Sequence, residues 1–392
     1  MGYTFNGFRR PDGRFGSRNL VAIIPSVICA NDVGQAIQRQ VQGTIGFFHH
    51  QGCCQLPSDL RRVTDTLISL GRSPNVAAAL IVSLGCEGTD VDRLQAELEA
   101  TGKPVRRIGI QALGGTSRAI QAGIDAAQEL TMLVSGQARE ETDISNVVMS
   151  IKCGASDTTS GMASNCVIGY VADKLVDLGA TVVFGETTEF LGGEHILARR
   201  AVGGEDGPVG RKIYEIVDAM EKRAMALGED MRGGQPTTGN IAGGLSSIEE
   251  KSLGAIVKSG HRPIQGVLEY PQFVTTEKGL WIKDTPGREP EILTAMAATG
   301  AQLMLFSTGR GAPQGFPSMP VLKICGNPHT YEHLRHDMDI NAGRIITGEA
   351  SIEEVGEEAF RRLLEVLNGS MTHNEALSYF GSMDIFCLGP VI

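Results

Sequence analysis

Short, unbroken apolar runs alternate with amphipathic stretches along most of this chain. Residues 20–27, 44–48, 77–84 and 105–110 are β-rich runs, each followed by a loop of small residues. Residues 29–40, 59–70, 92–100 and 117–129 follow them with apolar positions three and four apart. That spacing predicts helices with one buried face, and Ser117 is read as the cap of the last. Residues 136–143 are polar and charged, and the pattern then restarts. It predicts strands at 146–151, 181–184 and 301–306 and helices at 165–178, 211–227, 249–257 and 351–368. Glu353 and Glu354 stand in the first turn of the last helix, where its dipole favours them. Residues 231–245 read as a long glycine-rich loop.

Continuous apolar strands alternating with helices imply parallel sheets covered on both faces. The expected fold class is therefore α/β, with two Rossmann-like lobes at 1–138 and 139–392. The site is expected at strand carboxyl ends between the lobes. Glycine makes up 50 of the 392 residues, about twice ordinary usage, but with no Gly-X-Y period. The excess fits tight strand-to-loop turns and close approaches to a ligand.

The net charge of −10 disfavours nucleic acid, and no Lys/Arg run suggests a membrane patch. The first residues lack the charged and apolar regions of a signal peptide, and no apolar run reaches bilayer length. A cytoplasmic protein is the expectation. In a reducing compartment the eight cysteines read as buried thiols, ligands or nucleophiles before disulfides.

Cys29, Cys53, Cys86 and Cys153 each stand just after a predicted strand, and so do Glu186, Glu189 and Arg310. If these strand ends share a rim, the thiols collect there with His49 and His50. Such a shell suits iron, zinc or an iron–sulfur cluster, although no CxxC spacing is present. His49 four residues before Cys53 reads as a ligand pair or as a base beside a thiolate. Two loops look built for an anion. One is Ser307-Thr308-Gly309-Arg310-Gly311, and the other runs from Cys153 through Ser156 and Asp157 to Gly161. Neither is a phosphate-binding P-loop, and no GxGxxG follows the first strand. Glu186 and Glu189 are candidates for divided acid and base roles. Lys251 and Lys258 lie seven apart on one helix face. A solvated face is the simpler reading, and Lys258 is a candidate base with a lowered pKa if buried.

These motifs resemble the altronate and galactarate dehydratase family of sugar-acid hydro-lyases, which also includes the sulfolactate sulfo-lyase large subunit. The resemblance is carried by Gly7-Phe8-Arg9-Arg10-Pro11-Asp12-Gly13, His49-His50-Gln51-Gly52-Cys53, Leu84-Gly85-Cys86-Glu87 and Cys153-Gly154-Ala155-Ser156-Asp157. It continues through Glu186-Thr187-Thr188-Glu189, Gly239-Asn240, Ser307-Thr308-Gly309-Arg310-Gly311 and Met338-Asp339-Ile340-Asn341-Ala342-Gly343. It covers almost the whole chain in order. Cys54 departs from it, standing where a glycine is expected.

The resemblance implies dehydration of a D-altronate-like 2,3-dihydroxy acid to a 2-keto-3-deoxy acid. It implies a divalent metal, usually iron (mononuclear or in a cluster), with manganese or zinc as alternatives. Under it His49, His50, Glu186 and Lys258 are the catalytic candidates. Ser156, Asp157, Thr308, Arg310 and Asn240 are the substrate-binding ones. Cys29, Cys53, Cys86, Cys153 and His49 are the metal ligands. Family members begin with a small β-rich domain that this chain lacks, so the expectation is a large subunit with a small β-rich partner, in an oligomer. Two rivals stand beside this reading: a non-catalytic sugar-acid-binding subunit, and a thiol-dependent redox enzyme.

Overall fold

The computed structural model describes residues 2–392. Three sheets organise them. Strands Leu20–Pro25, Thr44–Gly46, Val76–Ser83 and Val105–Gly109 form a four-stranded parallel sheet, with Leu20–Pro25 and Val76–Ser83 central. A second, seven-stranded sheet is parallel throughout. Its strands run in the order Ile264–Leu268, Gly279–Lys283, Thr181–Phe184, Val148–Cys153, Leu303–Thr308, Val321–Cys325 and Ile340–Asn341. A small antiparallel sheet pairs Thr4–Arg9 with Phe15–Gly16 and Glu140–Asp143, tying the start of the chain to the segment between the halves.

The sheets stack through shared helices. One face of the small parallel sheet packs on the helices Asn31–Gln38 and Thr116–Ser135. Its other face and one face of the seven-stranded sheet bury a single apolar cluster. That cluster includes Ile24, Leu67, Leu94, Ile292, Met296 and Phe306, so the two sheets share one core. Helices Asn165–Asp177, Pro208–Met225 and Ile352–Leu367 cover the far face of the large sheet.

The periodicity finds most of these elements and misses some for physical reasons. Helix Glu289–Ala298 is buried on every side, so it has no polar face to set a period. Helix Thr116–Ser135 has no side-chain cap; the left-handed Gly115 precedes it, which corrects the role given to Ser117. The 231–245 segment is not structureless. It holds the short helix Thr238–Ala242, closed by a reciprocal capping box between Thr237 and Asn240. Residues 140–143, read as part of a polar boundary, form a strand.

Candidate active site

In each parallel sheet the chain leaves its first strand in one direction and later crosses to the other side. Loops from the two neighbouring central strands therefore diverge and open a crevice. The two crevices differ in chemistry.

At the four-stranded sheet, the loops after Pro25, Gly46 and Ser83 are laced together. Ile28 N–H donates to the Gln51 carbonyl (3.0 Å), and Gly88 N–H to that of Gly52 (2.9 Å). Gly52 is left-handed, and a Cβ there would lie 2.6 Å from the Ser26 carbonyl oxygen, so only glycine lets the loops close. Cys29, Cys53, Cys54 and Cys86 stand exposed on this rim. His49 is buried beneath it. Its Nε2 lies 2.9 Å from the Pro25 carbonyl, and its Nδ1 accepts from Gln51 N–H at 3.2 Å. That pattern fixes one neutral tautomer, and burial holds the imidazole down to about 4. Neither ring nitrogen is free for a metal or a substrate proton, which corrects the expectation of His49 as base and ligand. His50 is half-exposed, and its Nδ1 sits 3.1 Å from Asp384.

At the seven-stranded sheet, the rim is a buried chain of alternating charges. Glu186 accepts from Lys152 Nζ (2.9 Å), Lys258 Nζ (2.6 Å) and the Cys153 N–H (2.9 Å). Lys258 also donates to Glu189. Lys152 donates to the Cys153 carbonyl (2.8 Å) and lies 3.6 Å from Glu289. Both lysine side chains are 0% exposed and that of Glu186 1%. Glu186 has a left-handed backbone, uncommon outside glycine, and its N–H is held by Thr285 Oγ1 at 2.9 Å.

Electrostatics separates the two carboxyls. Burial alone would raise Glu186, but the Lys152 and Lys258 ammonium groups outweigh it and hold it down to about 2. Burial raises Glu189, and the Glu186 charge adds to the rise against the pull of Lys258. Lys258 loses solvation, yet the two carboxylates keep it charged far above ordinary pH. Burial also raises the Cys153 thiol, whose Sγ lies 2.9 Å from Ser156 Oγ. Lys258 is thus neither a solvated helix residue nor a base with a lowered pKa. It sits in the turn Val257–Ser259 as a permanent buried cation.

This cluster floors a cavity of about 530 Å³ whose walls include Ser156, Asn240, Lys251, Arg288 and Glu289. Asn240 is buried, its Nδ2 donating to the Ser156 carbonyl (2.8 Å) and its Oδ1 accepting from Lys251 Nζ (3.3 Å). A second cavity of about 330 Å³ adjoins it, sharing Cys153, Ser156 and Lys251.

The structure therefore gathers Glu186, Lys258, Cys153, Ser156 and Asn240. Other candidates stand apart. Asp157 lines only the adjoining cavity, and its carboxylate is used by Thr159 Oγ1 (2.5 Å), Ser160 N–H (3.1 Å) and Asn327 Nδ2 (3.1 Å). A Cβ on Gly309 would fall 1.9 Å from its Oδ1, so Asp157 is a structural joint between loops. The Thr308 hydroxyl accepts from the N–H groups of Gly311 (3.0 Å) and Ala312 (3.1 Å), closing a turn. Arg310 is exposed on the side of Gly239. Cys29, Cys53 and Cys86 lie on the other rim.

Sequence reasoning overlooked Lys152, Arg288, Glu289 and Asp384. Lys152 had a signal: a lysine inside an apolar strand of a parallel sheet is buried and must meet a carboxylate. Asp384 had none. It bridges the rims by taking His50 on one oxygen and Arg288 Nη2 on the other at 2.7 Å.

The implied metal finds no prepared seat. Exposed thiols are chemically suited to iron or a cluster. Among the described residues, however, no three His, Cys, Asp or Glu side chains close on one point. The thiols sit on three separate loops, and His49 has no free nitrogen. The residues as placed do not fit the ion.

A crevice at a topological switch point, floored by desolvated carboxylates biased in opposite directions, is the arrangement of an α/β enzyme's active site. The chain belongs to the galactarate/altronate dehydratase family. Residues 144–389 match the family described as D-galactarate/Altronate dehydratase, C-terminal. Residues 7–135 match D-galactarate dehydratase/Altronate hydrolase, second domain. The chain is 37% identical over 381 residues to the (2R)-sulfolactate sulfo-lyase subunit beta of Chromohalobacter salexigens, covering 96% of each chain. It is 33% identical to the altronate dehydratase of Bacillus subtilis over 99% of this chain and 78% of that one. It is 32% identical to the galactarate dehydratase (L-threo-forming) of Escherichia coli over 100% and 78%. These relatives are carbon–oxygen or carbon–sulfur lyases, and the chain is a lyase of this family. No described helix is long and apolar enough to cross a membrane.

Proposed function

We propose that the chain is the large, catalytic chain of a hydro-lyase that dehydrates a D-altronate-like 2,3-dihydroxy acid to a 2-keto-3-deoxy acid. The observation that carries this reading is the Lys152–Glu186–Lys258–Glu189 chain of buried charges beneath an open cavity. The substrate carboxylate meets Lys251, whose ammonium otherwise has only the neutral oxygens of Gln235 (2.7 Å) and Asn240 as acceptors. Glu189, whose carboxyl is raised by burial and by the Glu186 charge, holds a proton more readily than Glu186 and, in its ionised form, takes the one on C2. The electron pair moves into the carboxylate, and the fixed charge of Lys258, buried behind Glu186 and Glu189, offsets the negative charge of the enediolate that forms. Glu189 then gives its proton to the departing 3-hydroxyl, which leaves as water, and the enol becomes the keto acid. Glu186 stays ionised and holds both lysines in place.

A small β-rich partner subunit belongs to the same proposal. The partner is supported by the sulfo-lyase relative being named as a subunit. That relative also favours a second reading, because it matches from end to end. There the same C2 proton leaves and the C3 group departs as sulfite from sulfolactate. Turnover of D-altronate by the purified chain, with and without ferrous iron and a small partner, tests the first reading. Failure to form a keto acid in every combination sinks it, and sulfite release from sulfolactate selects the second.

A further inference from the structure

The rim of the four-stranded sheet carries a thiol pair that the elimination does not use. Cys53 and Cys54 are chain neighbours, both exposed, with their sulfurs 3.6 Å apart. In an extended chain successive side chains point to opposite sides. Here Cys54 is left-handed, with φ at 54°, and the two sulfurs meet on one side. The loop is braced from beyond. The Cys54 carbonyl accepts the N–H of Ile392 (2.8 Å), Gln55 bridges Val391, and Gln55 Nε2 donates to Cys387 Sγ (3.2 Å). Buried Asp59 takes the N–H groups of Leu388 and Gly389 at 2.9 and 2.8 Å. The segment 387–392 is thus strapped across the thiol loop.

We propose that Cys53 and Cys54 form a reversible redox modification site, a dithiol that a low-molecular-weight disulfide closes into a ring disulfide, loosening the 387–392 strap. One cysteine thiolate attacks the small disulfide, forms a mixed disulfide and releases one small thiol. The neighbouring thiol attacks the protein sulfur and expels the second. One S–S bond forms in the protein, the reagent's S–S bond breaks, and two small thiols carry away the electrons and protons.

Adjacent trans Cα atoms are about 3.8 Å apart, below the roughly 4.4–6.8 Å range of ordinary disulfides. The ring is therefore strained, and being exposed it is readily reduced again, the signature of a labile bond. Drawing the sulfurs together turns the peptide unit between them and the Cys54 carbonyl that holds Ile392.

The test treats the full chain with oxidised glutathione, alkylates the remaining thiols and measures peptide masses and backbone hydrogen exchange. The expected result is loss of both alkylatable thiols at 53–54, a mass lower by two hydrogens, and reversal by dithiothreitol. Exchange in 387–392 is expected to quicken in the oxidised form. Cys54→Ser should instead stop at a stable glutathione adduct on Cys53. A wild-type chain that keeps both thiols, or stops at the adduct, overturns the site. Ring closure with unchanged exchange overturns its coupling to the strap. Each readout is independent of lyase activity.

Discussion

The two strand-end rims have the same architecture and opposite chemistry. The four-stranded sheet presents soft, exposed thiols above a histidine whose ring is fully used. The seven-stranded sheet presents hard, buried charges in direct contact. Exposure is the difference. An exposed group in water gains little from a neighbouring charge, whereas a desolvated one has its protonation strongly biased by it. Reactive-looking residue types collected at the first rim, but the field that tunes a proton carrier exists only at the second.

The largest effect expected from breaking this contrast is at Lys258. Lys258→Met leaves Glu186 and Glu189 buried with one fewer counter-charge. Turnover should fall by about 10³-fold or more, and unfolding should require about 3–5 kcal/mol less. Denaturant melts and steady-state kinetics measure the two. Adding Glu186→Gln should restore much of the stability and none of the activity. Full turnover in Lys258→Met would move the chemistry away from this rim.

Glu189→Gln removes the raised carboxyl but keeps its shape, so activity should fall about 10²–10⁴-fold with the fold intact. Stability against pH sharpens the same point, because the two carboxyls carry opposite signs. Glu186, depressed to about 2, contributes stability present above its ordinary value of 4.5 and lost as pH falls through 2. Glu189, raised, contributes stability present below 4.5 and lost as pH climbs through its folded value. Glu189→Gln should therefore flatten the loss on the alkaline side and leave the acid side unchanged. The reverse pattern would exchange the roles assigned to the two residues.

At the other rim the expected effect is structural. His49, neutral and held down to about 4, contributes stability present above its ordinary 6.5 and lost as pH falls toward 4. His49→Asn should cost about 1–3 kcal/mol through the hydrogen bonds left unmade, remove that acid limb, and leave kcat nearly unchanged. A collapse of kcat with an intact fold would return catalysis to the thiol rim.

Periodicity and strand-end position located both rims, because apolar runs and the small-residue loops after them are local properties. Which rim holds the tuned charges was illegible, since it depends on contacts across long chain distances. Lys258 and Glu186 are 72 residues apart, and Arg288 meets Asp384 across 96. Asp157 and Thr308 looked like ligands because they stand in loops whose N–H groups and hydroxyls suit an anion. The fold spends Thr308 on the N–H groups of its own turn, and Asp157 on its own turn and on the Asn327 amide of another loop, uses that sequence does not distinguish from binding.

The glycine-rich segment yields the smallest expected effect and the most direct link between structure and occupancy. Its short helix is not free of the site. Asn240 donates to the Ser156 carbonyl, Thr158 N–H reaches the Gly243 carbonyl at 3.1 Å, and a Cβ on Gly243 would press on Asp157 at 2.6 Å. The segment is docked by a few hydrogen bonds, with most of its residues exposed, the pattern of a locally opening unit. A ligand anion on Lys251 adds a tie through Gln235, two residues before the capping box, and Asn240, which is a member of it. Hydrogen exchange in 231–245 should therefore slow when a sugar acid is bound, and Lys251→Gln should abolish the slowing. Exchange that ignores the ligand would leave these glycines as ordinary turns and place the substrate away from Lys251.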